Sequence, residues 1–127
     1  MSGHGLALAK RICDEHSRAR RHQYWCHTIR RGRFTLGKQS REILAFLRKK
    51  GRARHKEIGQ HLEALGGSGF RHSSAPLEKL LVFGLVENRP EGYQITKAGR
   101  DLDLSQKSFE ITTVDPLWLE HFMHHHW

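Results

Sequence analysis

Residues 85–96, LVENRPEGYQIT, constrain the fold more than any other part of this chain. Two short runs of strand-forming residues, Leu85–Asn88 and Tyr93–Thr96, flank a turn at Pro90, Glu91 and Gly92 and predict a β-hairpin. The stretch before it reads as a series of short helices. Ser40 is the expected N-cap of REILAFLRKKG, whose Ile43, Leu44, Phe46 and Leu47 form one apolar stripe. Lys49 and Lys50 sit in its last turn, where cations suit the helix dipole, and Gly51 stops it. After a short RARH, the segment KEIGQHLEALGG sets Ile58, His61, Leu62 and Leu65 at helical spacing, with Gly66 as the stop. A third helix is expected in APLEKLLVFG. Pro76 fits only a first helical turn, so this helix begins near Ser73 or Ser74, and Gly84 ends it. Past the hairpin, Thr96 can cap a final turn, KAGRDL. The order is helix, helix, glycine loop, helix, hairpin, short helix.

The flanks differ from this middle. His4–Arg33 reads as helical, as one helix or two, with Leu6, Ala9, Ile12 and Cys13 at three- and four-residue spacing and Tyr24, Trp25 and Ile29 on a second face. Gly32 ends that region, and FTLGKQS reads as a linker. Near the far end, KSFEITTV alternates Phe109, Ile111 and Thr113 with polar partners, which suits a strand. Asp115 and Pro116 then open a helix carrying Leu117, Trp118, Leu119, Phe122 and Met123. The chain thus divides into a basic N-terminal helical extension (1–36), a central domain (37–103) and a C-terminal tail (104–127).

Charge separates the same regions. The 127 residues carry a net charge of +9, but residues 10–54 hold fifteen Lys or Arg against Asp14, Glu15 and Glu42, a net of +12. Residues 55–127 hold seven basic against ten acidic residues, a net of −3. The basic third is an electrostatic handle for a polyanion, such as nucleic acid or an acidic membrane surface. No run approaches the roughly 20 apolar residues of a membrane span. MSGHGLALAKRIC has no basic region before its short apolar run and does not read as a signal peptide, so a cytoplasmic setting is expected. Two cysteines, Cys13 and Cys26, make no disulfide framework, and reduced thiols are the simplest expectation.

The stretch KLLVFGLVENRPEGYQITKAGRDL resembles the one that closes the recognition helix and forms the wing in winged helix-turn-helix regulators of the MarR and PadR types. Their pattern is a leucine, three residues, Gly-Leu-Val, a short hairpin, an apolar residue, Thr, two residues and Gly. Leu80, Gly84, Leu85, Val86, Ile95, Thr96 and Gly99 match it. GRARHKEIGQHL resembles the entry to the family's first recognition-unit helix, through Glu57, Ile58 and Leu62. The resemblance covers residues 40–103, about half of the chain. It implies a mainly α (α+β) fold, a winged helix-turn-helix with its third helix in the DNA major groove. Carried over, the DNA contacts fall on Arg71, His72, Ser73, Ser74 and Lys79, with Leu77 and Leu80 as the buried face and Arg89 at the wing's tip. The turn GGSGFRHSS, nine residues long, exceeds the family's compact turn. Leu81–Phe83 is apolar where the family often has polar residues, and would pack on the N-terminal helix or form a dimer seam.

Other chemistries fare worse. The glycines of LGGSGFRHSSAPLEKLL suggest a phosphate cradle, but no lysine follows them and the preceding segment is helical, so the Walker pattern fails. Cys13, His16, His22 and Cys26 lack the longer loop that usually separates two zinc-ligand pairs. HKEIGQH is not the zinc-protease spacing, and no nucleophile motif is present.

The expectation is a sequence-specific DNA-binding protein, a transcription regulator and not an enzyme, with double-stranded DNA as partner and no cofactor or metal. Arg30, Arg31, Arg33, Arg52, Arg54 and Lys56 join the list as phosphate contacts, since such cations release counterions on binding. A homodimer is expected through Trp118, Leu119, Phe122 and Met123, or through Leu81–Phe83. Two other classes stay open. One is an RNA-binding or ribosome-associated winged-helix protein, because the archaeal and eukaryotic small-subunit ribosomal winged-helix protein is similar in its closing stretch. The other is a protein–protein adaptor, because fold does not fix function.

Overall fold

The structure, a computed structural model, describes residues 6–16, 20–66 and 75–118. It is an α+β chain of mixed helices and small antiparallel sheets. Two compact units form: one from residues 1–35 with 107–127, the other from residues 36–106.

In the first unit the basic segment forms two helices, α1 (Leu6–His16) and α2 (Arg20–Arg31). Ala9, Ile12 and Cys13 of α1 and Ile29 of α2 are buried, as the spacing predicts, while Leu6 and Trp25 are half-buried and Cys26, outside that pattern, is buried as well. Gly32 follows α2, and the chain enters β1 (Arg33–Phe34), which pairs antiparallel with β5 (Phe109–Glu110). Phe34 lies opposite Phe109, with ring centroids 5.5 Å apart. Ile111 extends the pairing by donating its N–H to the Gly32 carbonyl at 2.8 Å. FTLGKQS is therefore not a linker throughout: its first residue is a strand residue and its last three are helical. Only residues 109–110 of KSFEITTV are strand, although Phe109, Ile111 and Val114 are all buried. Asp115 accepts the Leu117 N–H at 3.1 Å, the turn-opening role expected of it. Trp118 packs on Trp25 with centroids 4.9 Å apart. Leu119, Phe122 and Met123 lie outside the described residues.

The second unit runs α3 (Lys38–Lys50), β2 (Arg52–Ala53), α4 (His55–Ala64), α5 (Ala75–Val82), β3 (Val86–Arg89), β4 (Gly92–Ile95) and α6 (Lys97–Asp101). Ile43, Leu44 and Leu47 of α3, Ile58 of α4 and Leu80 of α5 are fully buried and form the centre of its core. The expected cap at Ser40 is corrected. α3 starts three residues earlier, at Lys38 behind Gly37, and Ser40 is itself buried, its hydroxyl donating to the Pro76 carbonyl at 2.9 Å. The hydroxyl that would have capped a helix end instead ties α3 to α5. Gly51 stops α3 at φ +80, donating its N–H to the Leu47 carbonyl at 2.6 Å. RARH is not only a connection. Arg52 and Ala53 form a third strand, opposite Gln94 and Tyr93.

The hairpin forms with its first strand one residue later and its second one residue earlier than expected, so that Gly92 is a strand residue, Val86 facing Ile95 and Arg89 facing Gly92. Strand order in this sheet is β2-β4-β3. Thr96 caps α6 as expected, accepting the Gly99 N–H at 3.1 Å, and its own hydroxyl donates to the Gly84 carbonyl at 2.6 Å. Leu77 and Leu80 are buried, as the helical spacing demands. Val82 and Phe83 are buried within the single chain, which leaves Leu81, half-buried, as the part of that apolar run open to a partner.

Candidate nucleic-acid interface

The cations of the basic third do different work, and their hydrogen bonds sort them. Arg41 reaches three backbone carbonyls: Nε donates to Leu36 at 2.9 Å, Nη1 to Leu104 at 2.5 Å and Nη2 to Gln106 at 2.9 Å. Arg48 donates through Nε and Nη2 to the Gly99 carbonyl at 3.2 and 3.0 Å, and through Nη2 to that of Leu102. These two side chains run from α3 to the end of α6 and the loop beyond, where a planar fork of donors suits several carbonyls at once.

Arg30 and Arg33, both expected on phosphates, are also tied down. Arg30 donates to the Cys13 carbonyl at 2.9 Å and pairs with Asp14 at 3.3 Å. Arg33 donates to the Ser108 hydroxyl and carbonyl, each at 3.1 Å. Arg31 is exposed at the end of α2.

Five further cations of the second unit run together from the end of α3 into α4: Lys49, Lys50, Arg52, Arg54 and Lys56, all exposed. β2 lies in the middle of this run and is hydrogen-bonded to β4, so the hairpin flanks it. His55 stands beside Tyr93 of β4, with ring centroids 6.2 Å apart. Gly92 makes the close approach possible. At φ +138 it lies in a region open mainly to glycine, and a Cβ there would sit 2.8 Å from the Ala53 carbonyl oxygen.

Carboxylates border the run. Lys50 pairs with Glu57 at 2.6 Å, and Glu57 also accepts the Arg54 N–H at 3.0 Å, closing the first turn of α4. The Lys50 hydrogen bond, then the Arg54 amide, hold the Glu57 carboxyl below the ordinary glutamate range. Arg52 lies 4.0 Å from Glu91, and Arg89 pairs with Glu87 at 3.0 Å. Arg89 is thus the last paired residue of β3, with Pro90 and Glu91 forming the turn. All three pairs are exposed and screened by solvent, so a phosphate can exchange for any of the three carboxylates.

The recognition-helix candidates divide. Lys79 lies on α5, half-buried, next to Glu78. Arg71, His72, Ser73 and Ser74 lie outside the described residues, as does the bulk of the glycine loop. Among the described residues no group of three or more His, Cys, Asp or Glu is placed to hold a metal ion, and no helix is long and apolar enough to cross a membrane.

Lys49, Lys50, His55 and Tyr93 join this face without being expected there, and their one signal in the sequence is adjacency to RARH or pairing with it once Arg52–Ala53 is a strand. Comparison with protein-family models, with curated proteins and with solved structures finds no match to this chain.

Proposed function

We propose that this protein binds double-stranded DNA through residues 36–106, as a winged helix-turn-helix module acting in transcription regulation. The strand order β2-β4-β3 carries the proposal. A short strand between the first two helices of the unit pairs with the second strand of the hairpin, which is the arrangement of a wing, and the cations of residues 49–56 fall beside it. In this proposal α5 is the helix that enters the major groove, with Arg71, His72, Ser73 and Ser74 at its approach and Lys79 further along. Lys49, Arg54 and Lys56 contact phosphates directly. Arg52 and Arg89 do so by leaving Glu91 and Glu87.

The test is fluorescence anisotropy of a labelled duplex of mixed sequence, titrated with the full chain over a salt series, with a structured RNA as competitor. Binding is expected to weaken with salt. Arg54→Ala and Lys56→Ala should each lower the slope of log K against log salt by about 0.9. No binding at low salt overturns the proposal and favours an adaptor. Preferential displacement by the RNA overturns the choice of duplex DNA as partner.

A further inference from the structure

Two nucleophilic side chains take no part in the proposed DNA face. Cys13 on α1 and Cys26 on α2 are each 1% exposed, and both are free thiols. α1 packs on α2, and Cys26 is among the neighbours that, after burial, push the Cys13 thiol up. Arg30 of α2 holds the Cys13 carbonyl at 2.9 Å, which fixes the neighbouring backbone of α1 against α2. Two buried thiols on helices packed against each other and tied at Cys13 by Arg30 are candidates for a disulfide, and no third ligand completes a metal-binding group with them among the described residues.

We propose that Cys13 and Cys26 are an intrachain disulfide-forming pair that staples α1 to α2, with a small-molecule disulfide such as oxidised glutathione as the oxidant. Burial raises the Cys13 thiol well above its ordinary range, so thiolate is scarce while the two helices are packed. The first attack therefore follows a transient local opening. The Cys13 thiolate attacks one sulfur of oxidised glutathione, forming a mixed disulfide and releasing one glutathione thiolate. The Cys26 thiolate then attacks the Cys13 sulfur, forming the protein disulfide and releasing the second glutathione. Two electrons pass to the oxidant, and the two cysteine protons end on the two glutathiones. The burial that slows the first attack also shields the product from reduction. None of this depends on DNA binding.

The full chain is equilibrated in glutathione redox buffer with and without urea, quenched with acid, digested with trypsin and analysed without reduction. Cleavage after Arg11, Arg18, Arg21 and Arg30 places the cysteines on peptides 12–18 and 22–30. These peptides are expected to run linked, to separate on reduction, and to be linked at least about tenfold more in the native chain than in urea at the same glutathione ratio. Thiols left free, thiols each capped by glutathione, or equal linkage in urea overturn the proposal. In Cys26→Ser, glutathione should remain on Cys13 because no second thiol expels it. An adduct on Cys13 of Cys26→Ser lost as fast as in the native chain also overturns it.

Discussion

Replacing Arg41 by methionine separates the structural use of a cation from its electrostatic use. The substitution keeps an unbranched apolar stem and removes three charge-assisted hydrogen bonds, to the Leu36, Leu104 and Gln106 carbonyls at 2.9, 2.5 and 2.9 Å. A hydrogen bond to a charged group is worth roughly 1.5–3 kcal/mol. The Gln106 contact is exposed and the other two are part-buried, so water can partly replace the guanidinium. The expected loss is therefore about 2–4 kcal/mol and not the full sum. For a unit the size of residues 36–106 that lowers Tm on the order of 10–20 °C. Arg41→Lys should fall between, because one ammonium keeps the charge but cannot span three carbonyls. Thermal denaturation followed by circular dichroism reads the stability. The salt slope of duplex binding, measured on the same variants below their midpoints, should stay at the wild-type value. A Tm within about 2 °C of wild type would refute the clamp. A salt slope lower by about one would show that Arg41 contacts phosphate instead.

Gly99→Ala should be among the most destabilising single changes, since its Cβ would lie 2.1 Å from the Leu85 carbonyl oxygen and α6 would have to move off the hairpin; a Tm drop under about 5 °C sinks this. Ser40→Ala removes the buried link to the Pro76 carbonyl and should cost about 1–3 kcal/mol in urea unfolding, with an unchanged m-value. Glu57 has a depressed folded-state pKa, so its contribution to stability is fully present above the unfolded value and is lost as pH falls through the folded one. The stability gap between wild type and Glu57→Gln should accordingly close in acid, and a gap that widens below the ordinary glutamate pKa contradicts the assignment.

Local signals in the sequence were informative where structure is decided locally. Gly51 and Gly66 end their helices at φ +80 and +87, and Thr96 caps α6, because each choice depends on a few neighbouring backbone groups. Helical spacing likewise marked Ile58, Leu77 and Leu80 as core. What escaped was non-local. A two-residue strand such as Arg52–Ala53 has no periodicity to detect and exists only because Gln94 and Tyr93 lie opposite. Phe34 and Phe109 pair across 75 residues, and nothing near either one announces the other. Ser40 looked like a cap because Ser is favoured there, but a partner carbonyl 36 residues away at Pro76 holds it instead. Arg41 and Arg48 read in sequence as free charge for the same reason, since their carbonyl partners are 51 to 65 residues away or sit just before the helix start.

This allocation changes what the net charge means. Fifteen cations between residues 10 and 54 suggest a broad polyanion-binding surface. Yet Arg30, Arg33, Arg41 and Arg48 all donate to backbone carbonyls. Each would surrender those bonds to reach a phosphate, and for Arg41 and Arg48 the exchange would loosen the packing of α3 that supports the hairpin. The exposed run in residues 36–106 offers Lys49, Lys50, Arg52, Arg54 and Lys56, with Arg89 beside it on the hairpin. Three to six phosphate contacts from such a face predict a salt slope of about −3 to −5 for duplex binding. A slope steeper than about −10 would mean that cations outside this run also reach phosphates, and if Arg41 and Arg48 are among them, Arg41→Met and Arg48→Met should each make it shallower by about 0.9.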